Sequence, residues 1–188
     1  MSTRQFDLNK ALEEYRSDDV NEKESVKKIL HFLKTDNNCF SRTNLKGHIT
    51  AGALVIDKKG NVLLNHHKIL DKWLHFGGHS DNDSNSLNVA KREVMEESGI
   101  VDVEDFGGKI FDVDVHAIPE NLEKKEPEHY HYDIRFLFVV NDNTNFKISD
   151  ESTDIKWLSI EQAKKIVTEK SMLRMLNKAY QINKNFKH

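Results

Sequence analysis

The sequence predicts an α/β (α+β) fold: a sandwich of helices around a mixed β-sheet, with a helical extension at the N-terminal end. Three observations predict it. Apolar residues before residue 40 recur at helical spacing. From His48 onward they alternate or gather in short runs, as strands do. The later strands and helices are interspersed without the regular alternation of a parallel βαβ sheet.

The elements follow in order. Phe6, Leu8, Leu12 and Tyr15 mark a first amphipathic helix, and Val26, Ile29, Leu30 and Leu33 a second, capped by Asn21 or a neighbour. Residues 1–40 are therefore read as an extension packing on a main domain at 41–188, or as a dimer contact. Ile49 to Ile56 reads as a strand and Asp57-Lys58-Lys59-Gly60-Asn61 as a turn. Val62 to Asn65 is a second strand, and Trp73 to Phe76 a short extended piece ending at Gly77-Gly78. After a polar loop, a helix runs from about Asn85 to Ser98. Strands are expected at Lys109 to Val115, Ile134 to Val140 and Asp154 to Leu158, and helices at Glu161 to Val167 and Ser171 to Asn183. Pro119 and Pro127 bracket a charged loop.

Composition narrows the classes. With 28 basic and 31 acidic residues, the net charge of -3 argues against nucleic acid held by bulk charge, though not against a small phosphorylated ligand. No apolar run approaches the roughly 20 residues that span a bilayer. The lone cysteine, Cys39, cannot form an internal disulfide, and a reducing cytoplasm is the expected compartment.

The chemistry concentrates in Gly77 to Ile100. Glu93, Glu96 and Glu97 stand at i, i+3 and i+4, so on a helix their carboxylates share one face, while Leu87, Ala90 and Val94 share a neighbouring face that can enter a core. Like charges at this spacing destabilise an isolated helix by a few tenths of a kcal/mol per pair. A hard divalent cation offsets that repulsion, since Mg²⁺ and Mn²⁺ favour carboxylate and water oxygens. Three helical glutamates alone read first as a solvated acidic face.

Their surroundings decide between the two. Gly78, Arg92-Glu93, the aliphatic Val94, Glu96-Glu97, Gly99 and the aliphatic Ile100 keep the spacing of the Nudix box, and the chain from about Gly47 to Leu158 resembles a Nudix hydrolase. One fixed position departs: Ser84 stands where the box has its first glutamate. The resemblance implies a loop-helix-loop in an α/β/α sandwich. It implies metal ligands at Glu96, Glu97 and the Gly77 carbonyl, with Glu93 as a further ligand or as the base that orients water. Arg92 is implied as the group that holds the glutamates. The implied cofactor is Mg²⁺ or Mn²⁺, and the implied substrate a small molecule with a diphosphate linkage. Ser84 is a weaker cation ligand, and Asp81 or Asp83 is expected to stand in for the missing carboxylate.

The histidines form a second theme. WLHFGGH, FDVDVHAIP and EPEHYHYDIRFLF resemble a bacterial Nudix subgroup with a Gly-Gly-His box and a His-x-His-x-Asp strand. His129 and His131 share one face of an extended segment. His79, His129, His131, Asp133, Arg135 and Glu128 are the candidate substrate-binding residues, through phosphate contact or a softer metal such as Zn²⁺. Structural hydrogen bonding is the competing role for each. Relatives of this family draw an extra ligand or base from outside the box; Glu126, Glu128 and Asp133 are the candidates here. The loop from Glu120 to Glu128 suits a lid over a diphosphate or a plain solvated loop. Trp73 either stacks on a base or packs in the core, and Trp157 is expected in the core.

Two alternatives accompany the hydrolase reading. One is a catalytically weakened Nudix-fold ligand-binding or sensor protein, which Ser84 motivates. The other is an isomerase of the same fold acting on an isoprenyl diphosphate. That reaction needs a reactive cysteine near the glycine pair, and Cys39 lies far upstream.

Overall fold

A computed structural model describes residues 6–122, 125–141 and 144–186. Two N-terminal helices, α1 (Leu8–Glu14) and α2 (Val20–Thr35), open it. Asp7 and Asp19 cap them, each side chain accepting the amide N–H three residues on, from Lys10 and Glu22. The second cap is Asp19, a near neighbour of Asn21; the helix begins at Val20, and the Glu22 N–H points back at that carboxylate.

The strands are β1 (Gly47–Asp57), β2 (Val62–His67), β3 (Lys72–Leu74), β4 (Phe76–His79), β5 (Glu104–Asp105), β6 (Asp112–Ile118), β7 (His129–Val140) and β8 (Ser152–Leu158). They form one mixed sheet. β1 and β7 run parallel in register from Gly47↔Tyr130 to Asp57↔Val140. The other pairings, of β2 and β4 with β1, β5 and β6 with β7, and β3 and β8 with β2, are antiparallel. The ladder extends β7 back to His129, five residues before its expected start, because polar residues at that end still find backbone partners on β1 and β6. The extended piece expected over residues 73–76 divides into β3 and β4, which pair with different strands.

Side-chain alternation along β1 explains the layers. Ile49, Ala51, Ala53 and Val55 face one core, where they meet Ile29 and Phe32 of α2 and Val89, Ala90 and Val94 of α3 (Ser86–Ser98). On the opposite face Leu54 and Ile56 meet Ala163 of α4 (Ile160–Ile166) and Met172, Met175 and Leu176 of α5 (Lys170–Phe186). Toward the start of β1 that second face turns polar, with His48, Thr50 and Gly52. All are buried, and this half-face carries the histidines.

Glu22 ties the first helices to the rest. It is 0% exposed, and accepts from Tyr15 Oη and Ser17 Oγ (2.5 Å each) and from Lys178 of α5. Lys178 also reaches Asp112 on β6 at 3.0 Å, so one chain of buried charge crosses from α2 through α5 to the sheet edge.

Candidate active site

α3 is positioned by both its ends and by its inner face. Asn85 caps it by accepting from the Asn88 N–H at 3.1 Å, and Gly99 ends it in the left-handed conformation (φ 71°) that a side chain would strain. Val89, Ala90 and Val94 are fully buried; of the expected apolar trio, Leu87 is only half-buried and Val89 takes the deeper place. This anchors the face that turns Glu93 and Glu97 toward β4.

Glu97 is 7% exposed. Its two oxygens accept from the Gly77 backbone N–H at 2.9 Å and from the Asn65 side-chain amide at 2.5 Å. Burial pushes its carboxyl up to about 8, and the nearby Glu93 and Glu151 add to the shift while these two donors oppose it. Glu93 is raised in the same sense, chiefly by burial, against the pull of Arg92 at 2.7 Å. Arg92 spans the site: it donates to the His79 carbonyl at 2.6 Å and lies 3.8 Å from Glu96, which is exposed. Gly78 sits directly over Glu93, where a Cβ would come within 2.5 Å of Oε2, so glycine leaves room for the carboxylate. Glu93 and Glu97, both raised by burial, and the exposed Glu96 thus lie on one side of α3 beside the glycines of β4, and carboxylates are the donors that hard divalent ions prefer.

Glu151 and Asn65 were not among the residues expected from sequence. Asn65 showed only as a polar residue ending an apolar strand. Glu151 comes near through chain path alone: its carbonyl accepts the Lys68 N–H at 2.8 Å, just ahead of β8, and β8 pairs with β2 beside Asn65. The aspartates expected to replace the missing box glutamate are engaged elsewhere. Asp81 forms a two-pronged pair with Arg42 at 2.5 Å, and Asp83 accepts from the Asn85 N–H at 2.8 Å. Ser84 is exposed.

The histidines assemble beside this site. His48 and His131 are register partners on β1 and β7, His131 faces His116 on β6, and His79 on β4 faces Thr50. Ring centroids lie 4.8 Å apart for His48 and His131, 4.9 Å for His48 and His79, and 5.4 Å for His79 and His131. Burial pushes His79 down to about 4 and His131 down to about 3, with neighbouring positive groups helping, so both rings are neutral at pH 7. His129 is buried, and its Nδ1 lies 2.8 Å from the Pro127 carbonyl.

Asp133 and Arg135 do not reach the glutamates. Arg135, 3% exposed, donates to Asp133 at 2.7 Å and also pairs with Asp112 and Asp114. Burial opposes the Asp133 charge, but Arg135 and the nearby His75 hold its carboxyl well below the usual range. Glu128 is exposed just before β7, and no described contact ties it to the carboxylates. In the loop from 120 to 128, residues 123 and 124 lie outside the described residues, and Asn121 bridges to Glu126. Trp73 is half-buried under Lys156, at 5.1 Å from the ring, and packs on the second core; Trp157 packs on the first. Cys39 is buried in the first core. Among the described residues no helix is long and apolar enough to cross a membrane.

The chain is similar to several known proteins. The chain is 30% identical over 120 residues to a probable DHNTP pyrophosphohydrolase of Lactococcus lactis, an alignment that spans 63% of this chain and 70% of that protein. Its fold matches a Caenorhabditis elegans Ap4A hydrolase complex with a TM-score of 0.57, at 21% identity over 71% of this chain and 96% of the other. It also matches the Escherichia coli dihydroneopterin triphosphate pyrophosphohydrolase with a TM-score of 0.55, at 15% identity over 73% and 95%. The NUDIX domain pattern itself matches residues 46–178, which take in the sheet, the glutamate helix and most of α5, and the chain belongs to the Nudix family of pyrophosphohydrolases.

Proposed function

We propose that the chain cleaves a diphosphate linkage in a nucleoside diphosphate derivative or similar small organic substrate, with Mg²⁺ or Mn²⁺ as cofactor. The observation that carries this reading is Glu97, a buried carboxyl fixed by two donors and left without a cationic partner among the described ion pairs. Glu93, Glu96, Glu97 and the Gly77 carbonyl would hold the ion. When bound, it neutralises charge developing on the diphosphate and lowers the pKa of a water. Glu93, raised by burial and steadied by Arg92, is suited to take the proton of the attacking water. Arg92 bridges Glu93 and the His79 carbonyl at the end of β4. Attack at phosphorus releases two phosphorylated fragments, or a monophosphate and pyrophosphate.

We also read the Gly77-Gly78-His79 box and the strand from His129 to Asp133 as marks of a bacterial Nudix subgroup, and residues 1–40 as an extension on a domain at 41–188. The test is a hydrolysis panel with Mg²⁺ or Mn²⁺. Dihydroneopterin triphosphate and diadenosine tetraphosphate come first, because similar proteins are named for them; nucleotide sugars follow. Metal-dependent turnover of at least one compound, cut sharply by Glu97→Gln in a folded protein, supports the reading. Ser84, exposed and not replaced by Asp81 or Asp83, favours the second reading of a weakened ligand-binding protein. Saturable binding without turnover across the panel would establish that one instead.

A further inference from the structure

Beside the glutamates lies a cluster that the hydrolytic reading does not use. Strand register builds it. His48, on the polar half-face of β1, is aligned with His131 of β7, and β4 brings His79 opposite Thr50, two residues along the same face from His48. One ring nitrogen from each of His48, His79 and His131 lies within 4.8 Å of the others. Tetrahedral ligation at about 2.0–2.1 Å sets nitrogens roughly 3.4 Å apart, so side-chain rotation of about an ångström closes the site.

The second observation is the set of missing partners. His48 is 3% exposed, and only the Asn44 backbone stands near one of its ring nitrogens, short of full hydrogen-bond geometry; His131 Nε2 is buried and without a partner. Each buried polar atom left unpaired costs about 1–3 kcal/mol. One His48 nitrogen and His131 Nε2, which a single ligand can serve together, face the same cluster as a nitrogen of His79. A neutral imidazole has one lone pair and one N–H, and three rings that turn their lone pairs inward offer a cation three donors at once. Arg42 stands at the mouth, but its charge is matched by Asp81. Imidazole nitrogen is a ligand for borderline ions such as Zn²⁺, whereas the carboxylates of α3 suit the harder Mg²⁺ or Mn²⁺.

We propose that His48, His79 and His131 bind a first-row transition ion, typified by Zn²⁺, at a site separate from the glutamate cluster. The two sites adjoin through His79, whose carbonyl accepts from Arg92. Metal-bound histidines commonly pass their other ring nitrogen to a carbonyl or carboxylate, and the surroundings supply such groups. His129 uses Nδ1 on the Pro127 carbonyl, and its ring lies 5.1 Å from that of His48 between centres. His116 pairs with Asp114 at 3.1 Å behind His131.

The experiment strips the full-length protein with a chelator, reloads it with Zn²⁺, passes it through a desalting column and measures zinc by mass spectrometry. Wild type and Glu97→Gln are expected to retain about one equivalent. His131→Asn and His48→Asn are expected to bind more than about 100-fold more weakly, beyond the 10–100-fold typical of losing an outer-shell partner. Circular dichroism checks that these variants fold. A second measurement needs no variant: Co²⁺ added to wild type should give the intense visible absorption of a four-coordinate, nitrogen-rich site. Failure of wild type to retain zinc, or its loss in Glu97→Gln with retention in His131→Asn, would overturn the proposal. So would a weak six-coordinate cobalt spectrum. None of these outcomes depends on substrate turnover.

Discussion

Glu97 makes the hydrolytic reading testable without a substrate. In the cation-free protein its carboxyl is raised from 4.5 to about 8, so it is about 90% protonated at pH 7. A divalent ion needs the carboxylate, and binding must therefore expel close to one proton at pH 7, falling toward none above pH 9. Calorimetric titration with Mn²⁺ in buffers of different ionisation enthalpy reads that number directly, as the slope of observed heat against buffer heat. The expected slope is about 0.9 for wild type and clearly smaller for Glu97→Gln, which lacks that proton. The same group shapes stability. The folded state holds a proton that the unfolded chain loses above its ordinary value of 4.5, so between about pH 5 and 8 folding binds protons. Stability from Glu97 is full below that window and declines through it, by about 1.4 kcal/mol per pH unit at most, until the folded carboxyl itself ionises. Saturating Mn²⁺ should flatten the decline. A wild-type slope of zero at pH 7, or an unchanged pH profile in Glu97→Gln, would show that this carboxyl is either ionised already or remote from the ion.

Three further perturbations probe the frame around it. Gly78→Ala places a Cβ 2.5 Å from Glu93 Oε2, so the carboxylate must move; kcat on whichever substrate the panel yields should fall at least about 10-fold while the melting temperature changes by only a few degrees. Ser84→Glu restores the box carboxylate at an exposed position, and Mn²⁺ affinity measured by calorimetry should tighten several-fold, about 1 kcal/mol. Glu22→Gln leaves Lys178 short of a buried partner, costs about 3 kcal/mol and should lower the melting temperature by roughly 6–12 °C; a shift of only a degree would mean that the first two helices are not anchored by this charge.

What the sequence disclosed follows its periodicities. The period of 3.6 placed α3 within a residue and put Glu93, Glu96 and Glu97 on one side, and fixed box spacing gave them chemistry. The period of 2 found most strands, but strand ends escaped it. β7 begins in HYHYD and β6 extends to Ile118, because pairing with a neighbour stabilises polar segments that have no apolar pattern of their own. β5 is two residues long and exists only as a partner for Val139 and Phe138. The cap of α2 was legible as a residue type and a neighbourhood, and Asp19, two residues before Asn21, fills it.

The active-site neighbourhood divides along the same line. Within-segment relations, such as Arg92 beside Glu93 or His129 two residues from His131, are fixed by local geometry and can be read from spacing. Relations between segments depend on register, which no single stretch contains. His48 is the sharpest instance. Alone it is an unremarked residue before an apolar strand, and only the parallel pairing of β1 with β7 sets it beside His131, while β4 on the opposite edge of β1 supplies His79. A one-residue slip of β7 would turn His131 to the other face and bring Tyr130 or Tyr132 to His48 instead. Register on this sheet is held by Phe136 and Phe138 packing in the first core, with Leu137 in the second. The apolar half of β7 thus decides which histidines meet at its polar half, some 20 Å of strand away by a rise of about 3.3 Å per residue. The chemistry of the histidine row is in that sense specified by residues that never touch it.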